Sequence, residues 1–133
     1  MSAVEFALVA PILLLMLVGL TDFGLAVNEK MRLVNAVRAG VQAGYGNSTD
    51  VAAITQAVKD ASGLDAAAIA VSVATSCGCA DGSSVVCGGI CADASSLRTY
   101  VTVTVTESYA LLISYPGFAS PMTLSATATL RVN

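Results

Sequence analysis

The chain opens Met1-Ser2-Ala3-Val4-Glu5-Phe6-Ala7-Leu8-Val9-Ala10-Pro11-Ile12-Leu13-Leu14-Leu15-Met16-Leu17-Val18-Gly19-Leu20-Thr21. No charge falls between Phe6 and Thr21, and Asp22 alone interrupts the apolar character before Asn28. A hydrocarbon core of about 30 Å takes roughly 20 apolar residues in a helix, so the stretch predicts a membrane-spanning helix over residues 1–27. A secretory signal peptide would begin with a basic region and end at a small-residue cleavage site. Here the start is acidic and Phe23-Gly24-Leu25-Ala26-Val27 offers no convincing site, so the helix is expected to be retained.

Helical character does not end at the membrane. Lys30-Met31-Arg32-Leu33-Val34-Asn35-Ala36-Val37-Arg38-Ala39-Gly40-Val41-Gln42-Ala43 repeats apolar residues at Leu33, Val37 and Val41, a four-residue stripe. Residues 28–46 therefore read as an amphipathic continuation, giving one helix of about 60 Å that projects beyond the bilayer. Gly44, Gly46 and Asn47 supply its stop. Ala3, Ala7, Ala10, Gly19, Gly24, Gly40 and Gly44 suit close helix packing, although small residues are also simply common in membrane helices. Pro11 removes one backbone donor and should kink or loosen the first turns.

Composition narrows the function classes. Of 133 residues, 56% are hydrophobic and only 11% charged, too apolar for a disordered chain and poor in charge for a soluble one. No basic patch suits nucleic acid. With no histidine and scattered acids, the common general bases and hydrolytic metal sites are thin, so no enzyme activity and no cofactor are expected.

Two acids interrupt the apolar helix. A charge in a bilayer costs roughly 2.5–3.5 kcal/mol even on the lenient insertion scale, so each should have a partner or a task. Glu5 and Asp22 lie about 25 Å apart along a helix and face directions about 100° apart, so they cannot pair within one chain. Asp22 reads as an interfacial acid that reaches water near the outer headgroups. Glu5 reads by itself as an exposed acid at the cytoplasmic face.

Residues 47–133 form the second unit, a small domain with a marginal core. Ser48, Thr49 or Asp50 can cap a short helix carrying Val51, Ile54 and Val58 on one face, ended by Gly63. The formal glycosylation sequon Asn47-Ser48-Thr49 is too frequent by chance to carry weight. Ile69, Val71 and Val73, then Val101, Val103 and Val105, then Leu124, Ala126, Ala128 and Leu130 each alternate with small or hydroxyl residues. The fold class expected is α+β: a long amino-terminal helix, a short helix and a roughly three-stranded antiparallel sheet covering them. The threonine-rich opposite face reads as solvated β surface. Tyr115 and Phe118, in a loop with proline turns, read as local core.

Between the first two strands stands Cys77-Gly78-Cys79, then Cys87 and Cys91 after an Asp-Gly-Ser-rich stretch. Two disulfides and a four-thiolate metal site compete. Zinc ribbons favour two-residue gaps within each pair, whereas these gaps are one and three, so a disulfide loop is favoured with three pairings open. A thiol oxidoreductase motif, Cys-x-x-Cys before a helix, is absent.

The opening Met1-Ser2-Ala3-Val4-Glu5-Phe6-Ala7-Leu8-Val9-Ala10-Pro11, the apolar run and Asp22-Phe23-Gly24 resemble the amino terminus of TadE-like proteins, minor pilins or pseudopilins of Tad (Flp-type) pilus systems. The run Leu124-Ser125-Ala126-Thr127-Ala128-Thr129-Leu130-Arg131-Val132 also looks like the carboxyl end of such chains. The resemblance implies a leader removed by prepilin peptidase and a glutamate at the fifth mature position, where Glu5 falls if Met1 is the first mature residue. Neither leader nor preceding glycine is in the sequence, so Met1 begins either a processed chain or a truncated one.

By the same resemblance Glu5, with Phe6 beside it, meets the terminal ammonium of a neighbouring subunit and sets register in a helical bundle. Leu8, Pro11, Leu14, Leu17, Gly19 and Asp22 then belong to the membrane and polymerisation helix. The partners implied are other pilin subunits, the bacterial inner membrane, prepilin peptidase and the pilus assembly machinery, with surface attachment as the outcome. Lys30, Arg32 and Arg38 would by the positive-inside rule keep the domain in the cytoplasm. The cysteines and the family argue for an extracytoplasmic domain on a single-pass anchor, or an extracellular pilus. The rival expectation is a single-pass envelope protein with a small partner-binding domain and no filament.

Overall fold

A computed structural model describes residues 2–92, 94–113 and 120–132. It contains α1 (Ser2–Gly46), α2 (Val51–Ser62), β1 (Ile69–Gly78), β2 (Ser84–Val85), β3 (Arg98–Tyr109) and β4 (Met122–Arg131). The α+β expectation holds, with the long apolar helix, the short helix and an antiparallel sheet. Tyr115 and Phe118 lie outside the described residues.

At 45 residues α1 is about 65 Å long, and Pro11 stands inside it. Its carboxyl half packs on the rest of the chain through Leu33, Ala36, Val37 and Val41, all buried, as the stripe required. Gly40 and Gly44 extend the same face. A Cβ on Gly40 would run into Val58 Cγ2, and one on Gly44 would stand 3.2 Å from Val101 Cγ1 and 3.3 Å from Ile54 Cδ1. These two glycines let α2 and the sheet approach the helix backbone.

Helix α2 starts where Asp50 Oδ1 accepts the Ala53 N–H at 2.9 Å, and ends at Gly63 in the left-handed region with φ 62°. Ile54 and Val58 are buried against α1. Val51, expected on the same face, is half exposed, because it occupies the first turn and lies beyond the reach of the core.

The sheet order is β2-β1-β3-β4, antiparallel throughout. The three expected strands are present but longer than their alternating segments. β1 and β3 stay in register from Ile69↔Glu107 to Gly78↔Arg98, so pairing continues through Ser76 and Cys77, where the apolar signal has faded. The fourth strand, β2, pairs only Cys77↔Val85 and Gly78↔Ser84. Central β3 buries Val101, Val103 and Val105 completely against the helices. On the opposite face hydroxyls meet across the register, Thr102 with Thr129 at 2.9 Å and Thr104 with Thr127 at 3.1 Å.

Candidate functional site: the amino-terminal helix and its seam with the sheet

Side chains along residues 4–21 of α1 face outward on every side of the helix. Glu5, Phe6, Leu8, Leu14 and Leu17 are exposed, together with Val4, Ile12, Leu13, Leu15, Met16 and Leu20. The helix is long and apolar enough to cross a membrane, and its most apolar window is not buried inside the chain at all. A bare apolar cylinder of this kind in water would be strongly unfavourable, at about 25 cal/mol per Å² of apolar surface, so lipid or other helices would suit it far better than water.

Residues 1–42 match the family model of TadE-like proteins. The match covers the exposed apolar cylinder and most of the packed stripe of α1, and together with that helix it fits a Tad pilus-associated protein. The carboxyl-terminal likeness noted from the sequence lies outside it. No curated protein and no solved structure matches the chain.

The TadE-like segment passes from cylinder to seam at Asp22. Its carboxylate, expected to reach headgroup water, is instead 2% exposed. Leu112 N–H donates to Oδ1 at 2.9 Å and Ile113 N–H donates to Oδ2 at 3.4 Å. The acid is thus solvated by backbone of the β3–β4 connection, and the first of these bonds has good charge-assisted geometry. Nothing in the local sequence announces partners 90 positions away. Gly19, expected on the polymerisation helix, lines an open apolar groove of about 600 Å³ with Phe23, Ala26 and Val27 of α1 and Leu111, Met122 and Leu124 of the sheet side.

Above that groove the seam carries charge. Glu107 occupies the same alternating row of β3 as Val101, Val103 and Val105, and Glu29 of α1 is ion-paired to Arg32 at 3.6 Å. One oxygen of each glutamate, Oε2, is buried without a hydrogen-bond partner. Burial pushes the Glu107 carboxyl up from its ordinary value, repulsion from Glu29 adds to the rise, and Arg32 opposes it. Burial likewise pushes the Tyr109 phenol up, with Asp22, Glu29 and Glu107 adding to the rise. The sequence held a signal here: extending the β3 alternation by one step points Glu107 inward.

A carboxyl whose folded pKa is raised disfavours folding while ionised. That penalty is absent below the unfolded value of 4.5 and complete once pH exceeds the folded pKa. Glu107→Gln is therefore expected to raise the melting temperature at neutral pH and to leave it unchanged below pH 4.5. Thermal scans of both proteins across that range check this; an equal gain at every pH would remove the charge from the explanation.

The cysteine segment sits at the opposite end of the sheet. Disulfides join Cys77 to Cys87 and Cys79 to Cys91, with Cα separations of 5.1 and 5.7 Å. Of the three open pairings this is the interleaved one, and it leaves no sulfur as a thiolate for the metal alternative. The turn within it is closed by Cys79 N–H to Ser83 O at 2.9 Å and by Asp81 Oδ1, which accepts from Ser83 N–H and Oγ–H. The bonds from the Ser83 hydroxyl and backbone N–H hold the Asp81 carboxyl below its ordinary pKa.

Proposed function

We propose that this chain is a structural, non-enzymatic subunit of a Tad-type pilus, held in the inner membrane by residues 1–27 and built into a filament through the same helix. The observation that carries this reading is the apolar cylinder of residues 4–21, uncovered by the rest of the chain and lying within the TadE-like match. Lipid and a bundle of neighbouring helices are interchangeable solvents for such a surface, so a subunit can pass from one to the other with little change in apolar burial.

Glu5 is the exposed acid near the end of that cylinder. An ion pair immersed in a low-dielectric bundle gains Coulomb energy but loses hydration, so it selects register more than it adds stability. In this reading the opposite charge is the terminal ammonium of the adjacent subunit, and the oxidised domain is displayed outside the membrane.

Substituting Glu5→Ala should leave membrane insertion intact and reduce the subunit in sheared surface filaments to background. Quantifying the chain in membrane and sheared fractions tests this. Normal incorporation of the variant would end the register role. Confinement of the wild-type chain to membranes, in cells that make pili, would favour the envelope-protein reading.

A further inference from the structure

The bend after β3 puts its exposed apolar side chains at the level where the uncharged run of α1 ends. Leu112 is 65% and Ile113 41% exposed, and their backbone N–H groups are the ones held by Asp22. Leu20 and Phe23 of α1 are also exposed at this level, and the apolar groove opens beside them. Lone exposed leucines on a soluble domain need no explanation. Here an exposed pair, a groove and the end of a membrane-grade helix coincide.

Asp22 explains how the arrangement can exist. An acid at the lipid boundary is costly unless the protein solvates it, and backbone N–H groups at that depth also need acceptors. Each satisfies the other, leaving the apolar side chains of the bend free to point away.

We infer that residues 111–113 form a foot that enters the lipid bilayer beside α1, clamped by Asp22, with the groove taking lipid acyl chain. Continuity with the spanning helix selects this occupant: Gly19 and Phe23 belong both to the groove and to the apolar helix. Lys30 lines the groove too, and it makes no ion pair among the described residues, which suits a lipid phosphate at the headgroup level. The foot rests on the reading that the amino-terminal helix spans a membrane. It gives the domain a second attachment that limits its swivel about the helix.

The chain has no tryptophan, so Leu112→Trp, Leu14→Trp and Val86→Trp each introduce a unique reporter. The full-length variants are reconstituted into phosphatidylcholine–phosphatidylglycerol vesicles with and without brominated acyl chains. Brominated lipid should diminish emission from positions 14 and 112 and leave position 86, in the disulfide loop, unaffected. Quenching at 14 with none at 112 would overturn the foot and keep the anchor; no quenching at 14 would overturn both. Blue-shifted emission at 112 that bromine fails to quench, growing with protein-to-lipid ratio, would assign the surface to a second copy and overturn the lipid assignment.

Asp22→Ala in the Leu112→Trp background tests the clamp: quenching at 112 should fall while quenching at 14 in the matching pair does not. Unchanged quenching at 112 would overturn the clamp. Ile113→Trp serves as an independent reporter, and circular dichroism of each variant verifies the fold.

Discussion

Leu33→Ala is expected to lower the stability of the detergent-solubilised chain by about 2–5 kcal/mol. Leu33 is fully buried on α1, within the cluster that includes Val37, Ile54, Val58 and Val103. Shortening it removes apolar burial and leaves a void in a cluster built largely of valines, whose β-branched side chains have little rotamer freedom with which to refill it. A domain of this size loses roughly 4–8 °C of melting temperature per kcal/mol, so a drop of about 8–40 °C is expected in thermal scans. Leu14→Ala, on the exposed cylinder, is the control and should leave the transition in place. A Leu33→Ala transition within about 3 °C of wild type would show that the helix–sheet seam does not hold the domain together.

Loss of the disulfides has the next largest effect, because the segment they tie has almost no core of its own. Val86 and Ile90 are 83% and 91% exposed, and none of residues 80–92 joins the main hydrophobic cluster. The bridges close loops of sequence separation 10 and 12, each worth about 2–3 kcal/mol in the chain-entropy account. Since the loops interleave, opening either one leaves much of the segment still constrained by the other. Cys77→Ser/Cys87→Ser and Cys79→Ser/Cys91→Ser should each cost less than half of what the quadruple serine variant costs. Urea denaturation of the three proteins measures this; strictly additive losses would mean that the two bridges act on independent loops.

Much of the architecture was legible because it depends on period. The four-residue stripe of Leu33, Val37 and Val41 is a local pattern that burial enforces, and so are the two-residue alternations of β3 around Val103 and of β4 from Leu124 to Leu130. The stop at Gly63 was equally local, and the cap was narrowed to Ser48, Thr49 or Asp50, of which Asp50 serves. What escaped depends on meetings between distant segments. Asp22 finds its amides in the β3–β4 bend, and only three-dimensional packing brings them together. The cysteine pairing was open for the same reason, since spacing limits partners without choosing among them. The two-residue β2 was too short to carry any alternation, and Val51 shows that a helical stripe loses its meaning in the first turn, where the core has ended.

The seam between α1 and β3 has a mechanical consequence. If the chain is built into a filament through its amino-terminal helix, as proposed, tension on the domain would enter along the axis of α1. Leu33, Val37 and Val41 bind that helix side-on to the valines of β3, so sliding it out would uncover these contacts together instead of one after another. Load is then shared in shear, and Gly40 and Gly44, by letting Val58 and Val101 nestle against the helix backbone, act as notches that resist slippage.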